Sequence, residues 1–314
     1  MNDSQSQVHL RLANRDDAGL MLGIIVSAFS TRRVLDPPTD ALSDTVEVVR
    51  ARLDGQLGII ASVEDTAVGC LFLALDRKRR IGTMHRVSVL PETRRHGVAT
   101  HLATAAAELA VDAEMTSLQL VARRELPEVI GWWGTHGFRT ISQIDEHNLL
   151  LGIELPARIK VPTSEAMASL GNKLAGVLRG GDVIVANGDL GAGKTTLAQG
   201  LGQGLSVSGP ITSPTFVISR IHPSRTGPQL VHVDAYRLAS AAEIDDLDLD
   251  DSLTGSVTFI EWGAGLVEQL SADRLEIDIE RSPDIDDNTR TVTIRAVGSR
   301  WADVDLHALF SEEL

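Results

Sequence analysis

At 314 residues the chain exceeds what one hydrophobic core usually organises, so two domains of about 100 to 200 residues each are expected. A hydrophobic fraction of 43% and a charged fraction of 23% exclude a disordered protein, while a net charge of -14 excludes one that grips nucleic acid through its overall field. Cys70 is the single cysteine, which excludes an intrachain disulfide and a multi-cysteine metal site, and it fits a reduced, cytoplasmic setting; the polar start and the lack of a long apolar run argue against secretion and membrane spanning.

Residues 8 to 12 (VHLRL) alternate like an edge strand, and residues 16 to 29 have the apolar spacing of a helix. Residues 57 to 75 read as two strands joined by a polar turn, with Cys70 packed in the core. A strand at 85 to 90 (HRVSVL) leads to an alanine-rich helix over 98 to 112, then a strand at 117 to 122 and a short helix ending at HGF. Between that first strand and helix, VSVLPETRRHGVATHL fits R-x-x-G-x-[GA] at Arg94, Gly97 and Ala99. Here the amides of Arg95, His96, Gly97, Val98, Ala99 and Thr100 would face a pyrophosphate at a helix N-terminus, and Gly97 would let the backbone come close. His85 is open to two readings, a packed structural histidine or a general base for an amine acceptor.

Residues 153 to 162 carry two prolines and are expected to be a linker, dividing a domain of residues 1 to 152 from one of residues 163 to 314. Thr163 or Ser164 would start the next helix. The apolar run DVIVAN (182 to 187) then enters GDLGAGKTT, which matches G-x-x-x-x-G-K-[ST] at Gly188, Gly193, Lys194 and Thr195. A strand before this loop and a helix after it are the context a phosphate-binding loop requires. Backbone amides of Gly191 to Thr196 would surround the phosphates, so Gly188, Asp189, Leu190, Gly191, Ala192, Gly193, Lys194, Thr195 and Thr196 form the candidate nucleotide site. Lys194 would reach the outer phosphates and Thr195 would bind Mg²⁺.

Two carboxylates end apolar runs, Asp234 in LVHVD and Glu261 in VTFIE. One would complete the metal shell and the other orient the attacking water. His232 beside Asp234 reads as a packed buttress or as a catalytic group. The acidic stretch EIDDLDLDD (243 to 251) lacks the spacing of a calcium loop and reads as a solvated helix face or a contact for a basic partner.

GDLGAGKTT, TSPTF (212 to 216), HVDAYRL (232 to 238) and EW (261 to 262) together resemble the TsaE family, over about residues 160 to 314. The resemblance implies a small P-loop ATPase that acts with TsaB and TsaD in the threonylcarbamoyl modification of an adenosine in tRNA. It also implies that Lys194 and Thr195 handle phosphate and metal, that Glu261 is the other Mg²⁺ ligand, and that Asp234 serves hydrolysis. Ser213 and Thr215 would fall in a switch-like loop, with Trp262 at a partner or nucleotide surface. The family's usual glycine is Asp248 here, and its usual proline falls near Ser271.

The V-x-V-x-P strand, the R-x-x-G-x-[GA] loop and W-x-x-H-G-F resemble the GNAT acyltransferases, over about residues 8 to 152. This implies acetyl-CoA at the Gly97 loop, with the backbone of Val87 and Val89 bonding the thioester and pantetheine arm. Trp133 stands where that family commonly has a tyrosine acid, and an indole N–H cannot supply a proton at neutral pH. The two resemblances imply an α/β chain with a GNAT-like mixed sheet followed by a P-loop α/β sandwich. Its cofactors would be ATP, Mg²⁺ and acetyl-CoA, and it would meet tRNA through partner proteins. The alternative is an amine or protein N-terminal acetyltransferase with a nucleotide-sensing P-loop module.

Overall fold

The computed structural model describes residues 7–33, 35–93, 96–214, 217–237, 254–263, 265, 271–284 and 287–311. They form two α/β units, Met1–Leu155 and Pro156–Leu314. Arg94, Arg95, Thr215, Asp248 and the whole acidic stretch lie outside the described residues.

The first unit runs β1 (Val8–Ala13), α1 (Ala18–Ser30), α2 (Val46–Leu53), β2 (Leu57–Val63), β3 (Thr66–Asp76), β4 (Ile81–Val89), α3 (Val98–Asp112), β5 (Ser117–Arg123), α4 (Pro127–Thr135), β6 (Arg139–Gln143) and β7 (Asn148–Glu154). Its strands lie in the order β1-β2-β3-β4-β5-β7-β6, and β4 with β5 is the parallel pair in an otherwise antiparallel sheet. The polar turn expected between β2 and β3 is a tight one, with Glu64 and Asp65 both left-handed, as a twisted hairpin demands. One core packs α3 and α4 against the sheet through Leu71, Met84, Leu102, Leu118 and Trp133. A second core joins α1 and α2 to β2 and β3 through Met21, Ile25, Val49, Ile60 and Phe72. Cys70 belongs to the second core and is fully buried, as its apolar neighbours suggested.

The second unit runs β8 (Ala157–Val161), α5 (Ser164–Ala175), β9 (Val183–Asn187), α6 (Lys194–Gly204), β10 (Ser219–His222), β11 (Gln229–Asp234), β12 (Ser256–Glu261), β13 (Arg274–Arg281), β14 (Arg290–Val297) and α7 (Leu306–Leu309). The order is β10-β11-β12-β9-β13-β14-β8, with β11, β12, β9 and β13 parallel in the centre. Of these, β9, β11 and β12 are buried on both faces, which is why VIVAN, LVHVD and VTFIE read as unbroken apolar runs, whereas β13 alternates between buried and more exposed positions. Leu170, Ile184, Leu197, Phe259 and Ile277 belong to the core between α5, α6 and the sheet.

The stretch expected as a linker is structured. Glu154 still belongs to β7, and Ala157–Val161 is an edge strand pairing antiparallel with β14. Pro156 and Pro162 sit just outside that strand, where a missing N–H costs no ladder bond. Thr163, not Ser164, caps α5, accepting from the Ala166 amide at 3.1 Å. Among the described residues no helix is long and apolar enough to cross a membrane.

Candidate active sites

In the second unit, β9 delivers the chain into the loop at Gly188 and α6 begins at Lys194. Gly188 has φ 142°, and a Cβ there would sit 2.5 Å from the Ile279 carbonyl oxygen, so strand packing and loop geometry both require glycine. Gly193 caps α6 in a left-handed conformation without any side-chain cap, which leaves the first-turn amides of an 11-residue helix for an anion.

Lys194 is folded into the bowl of this loop and is 5% exposed. Its Nζ donates to the Gly188 carbonyl at 2.6 Å and the Asp189 carbonyl at 3.1 Å. The Trp262 ring covers it at 4.0 Å. Burial pulls the ammonium below the usual lysine range, against the opposing pull of Glu261, Asp234 and Asp189.

Asp234 and Glu261 end adjacent parallel strands in direct register, and both are buried. The Thr195 hydroxyl donates to Glu261 Oε1 at 3.0 Å. His232 Nε2 reaches the same oxygen at 2.9 Å, and because an ionised carboxylate only accepts, the imidazole proton sits on Nε2. His232 is fully buried and its ring meets Phe259 edge-on at 5.4 Å, so it buttresses Glu261 from within the sheet. Asp234 accepts from the Tyr236 amide at 3.0 Å, and Tyr236 meets Trp262 edge-on at 5.3 Å. Trp262 is itself left-handed at φ 63°, which turns its ring back over Lys194.

Lys194, Thr195, Asp234 and Glu261 are thus gathered at one end of the central strands. Ser213 is half-buried in the segment before β10, outside any hydrogen-bonded element. Arg281, which no motif singled out, donates through Nη2 to the Leu190 carbonyl. It arrives from the end of β13, 91 residues along the chain, and no local spacing announces it. Thr195 and Glu261 supply hard oxygen donors of the kind Mg²⁺ prefers, and among the described residues no cluster of three or more His, Cys, Asp or Glu could hold a metal.

In the first unit, the bonding of β4 to β5 is confined to Ile81–Met84 against Ser117–Leu120. Beyond Met84 the two strands part, while on its other side β5 pairs with β7 along its whole length. The register between β3 and β4 slips between Cys70 and Phe72, and opposite that slip Arg86 is left-handed at φ 52°. A cavity of about 970 Å³ fills the gap, lined in part by Val87, Val89, Ala99, His85, Trp132 and Trp133.

Gly97, left-handed at φ 69°, caps α3 without a side-chain hydrogen bond and so leaves first-turn amides beside Ala99 for an anion. His96 is exposed, whereas Val98 anchors the helix start in the core. Trp133 is packed edge-on against Phe138 and Trp132, each at 4.8 Å, in an aromatic wall. His85 is half-buried on the opposite face from Met84, and burial, with Arg52 and Arg86, pulls its imidazole below the usual histidine range.

Arg86 donates to Asp44 at 2.8 Å and to Asp40 at 3.0 Å. Arg123, at the end of β5, donates to the Pro37 carbonyl at 2.9 Å and to Glu125 at 3.0 Å. Each of the parted strands therefore ties down the segment between α1 and α2. Sequence reading passed over these arginines because the groups they hold between α1 and α2 lie 42 to 86 residues away.

Residues 161–292 match the family model "Threonylcarbamoyl adenosine biosynthesis protein TsaE", and residues 28–138 match that of the "Acetyltransferase (GNAT) family". The tRNA threonylcarbamoyladenosine biosynthesis protein TsaE of Streptomyces coelicolor is 55% identical over 146 residues, which are 46% of this chain and 99% of that protein. The crystal structure of Bacillus subtilis YdiB is 32% identical, with a TM-score of 0.39, and the match covers 47% of this chain and 89% of that one. A GNAT-family acetyltransferase of Streptococcus pneumoniae is 18% identical, with a TM-score of 0.40, and the match covers 48% of this chain and 99% of that one. The first unit is similar to the GNAT acetyltransferase family over residues 28–138, and through its second unit the chain belongs to the TsaE family of threonylcarbamoyl adenosine biosynthesis proteins.

Proposed function

We propose that the second unit binds ATP with Mg²⁺ and hydrolyses it during tRNA threonylcarbamoyladenosine synthesis. It works in the cytoplasm with TsaB and TsaD, and through them it reaches tRNA. The observation that carries this reading is the 3.0 Å pairing of the Thr195 hydroxyl with Glu261 at the mouth of the phosphate loop. A helix-start hydroxyl and a strand-end carboxylate suit a Mg²⁺ whose remaining ligands are water and phosphate oxygens. When bound, that ion neutralises charge on the phosphates. Lys194 exchanges the Gly188 and Asp189 carbonyls for phosphate oxygens, which are stronger acceptors. His232 holds Glu261 in place, and Asp234, on the adjacent strand end, orients the attacking water. A net charge of -14 leaves the tRNA phosphates to the partner proteins.

The first unit transfers acetyl groups from acetyl-CoA to an amine. The amides around Gly97, Val98 and Ala99 would hold the pyrophosphate of acetyl-CoA, and the backbone of Val87 and Val89 would bond the thioester and pantetheine arm; in the sequence Arg94 and Arg95 add positive charge just before this loop. Trp133 shapes the wall of the cavity and donates no proton.

ATP hydrolysis measured with and without TsaB and TsaD tests the first reading. Turnover should be stimulated by the partners and fall about 100-fold in Lys194→Ala. Stimulated turnover that survives this substitution would remove the phosphate loop from the reaction.

A further inference from the structure

Two cations converge on the phosphate loop of the second unit, and the phosphate-loop motif accounts for only one of them. Lys194 holds the Gly188 and Asp189 carbonyls, and Arg281 holds the next carbonyl along, that of Leu190. Three successive carbonyls of one loop are thus taken by two positive side chains.

Strand register brings Arg281 there. β13 runs parallel to β9 from Arg274 beside Val183 to Asp278 beside Asn187, and a Cβ on Gly188 would meet the carbonyl of the next β13 residue, Ile279. Arg281 closes β13 and so comes level with the loop that follows β9. Gly191 makes room for it, since a Cβ at that position would stand 2.7 Å from Arg281 Nη2. A side chain at 191 would push the guanidinium off the loop.

Like charges brought to one loop oppose each other. Burial above all lowers Lys194, and the Arg281 charge adds to that effect against the pull of Glu261, Asp234 and Asp189. Among the described residues neither cation forms an ion pair. Across the ladder to β14, Arg281 stands opposite a second arginine, Arg290. The Leu190 carbonyl is a neutral acceptor, and a phosphate oxygen is a stronger one for the same guanidinium. Arg281 is exposed, so a ligand entering the loop can reach it.

We infer that Arg281 is a second phosphate-binding residue of the nucleotide site, on the β13 side of the loop, where Lys194 is the one within it. This rests on the ATP reading of the second unit. The competing role is a clamp, in which Arg281 only steadies the loop through Leu190. A neutral donor serves a clamp as well as a cation does, whereas phosphate binding needs the charge.

Calorimetric titration of the full chain with ATP and Mg²⁺, at low and high KCl, separates the two roles in Arg281→Lys, Arg281→Gln and Arg281→Ala. Urea unfolding without ligand runs alongside. Arg281→Gln and Arg281→Ala should both bind about tenfold more weakly than the wild type at low salt, and Arg281→Lys should recover part of the loss. The deficit should shrink at high salt, which screens the charge, and the unliganded urea midpoints should stay in place. Wild-type affinity in Arg281→Gln or Arg281→Ala would overturn the inference. Equal losses in Arg281→Lys and Arg281→Gln, a deficit indifferent to salt, or a loss matched by a fall in the unliganded midpoint would overturn it too. Absence of ATP binding by the wild type would instead remove the nucleotide reading beneath it.

Discussion

Single side chains in both units act through the company they keep. His232 and Thr195 both bond one oxygen of Glu261, so the carboxylate is held on two sides before any metal arrives. His85 has the opposite environment, with Arg52 and Arg86 nearby and partial burial, and both effects favour the neutral ring. Its folded value lies below the ordinary 6.5, so it stays able to accept a proton at pH values where a solvated histidine is half charged. The same shift means that the folded state gains stability above the unfolded value and loses it as pH falls through the folded one. The acidic limb of kcat/KM for acetyl transfer should therefore inflect below 6.5. His85→Gln should flatten that limb and slow transfer about 100-fold. A limb at or above the ordinary value, or one that persists in the variant, would assign the titration to another group.

At the scale of elements, the difference between what the sequence announces and what it conceals follows from how locally each element is specified. The phosphate loop was legible because its strand, glycines and helix start are contiguous, and the buried central strands were legible as apolar runs. The edge strand β8 was not, since ARIKV alternates weakly between two prolines and gains its place from β14, more than 120 residues onward. The fully exposed β6 had no apolar face to betray it, and the bulge that sets Arg86 and Val87 opposite Leu71 is visible only against β3. Helix starts fall between these cases. Thr163 forms a local cap on α5, whose inner face packs Met167, Leu170 and Leu174 into the core. Thr163→Ala should lower the stability of the second unit by about 1 kcal/mol, read from urea unfolding, while Thr163→Ser should be close to neutral. Equal losses in both variants would mean that the threonine methyl, not its oxygen, stabilises the helix start.

Across the whole molecule, each core draws on one unit alone, the α5 and α6 core on residues 157 to 306 and the two others on residues 18 to 155. Two units with no shared core are two separate sources of cooperativity, and each should respond to its own ligand. The chain supplies a reporter for one of them. Cys70 is fully buried and its thiol is pushed up to about 12 by burial, so a thiol reagent at neutral pH should find it only after the first unit opens. Urea unfolding followed by circular dichroism should therefore show two transitions, only one of which coincides with Cys70 labelling. Mg²⁺ and ATP at 100 times their dissociation constant should move the other transition by about 2.7 kcal/mol and leave the labelling curve in place. CoA should do the reverse. Should nucleotide shift the labelling curve as far as the second transition, the two units would be unfolding as one block, and occupancy at Lys194 would be felt at the cavity beside His85.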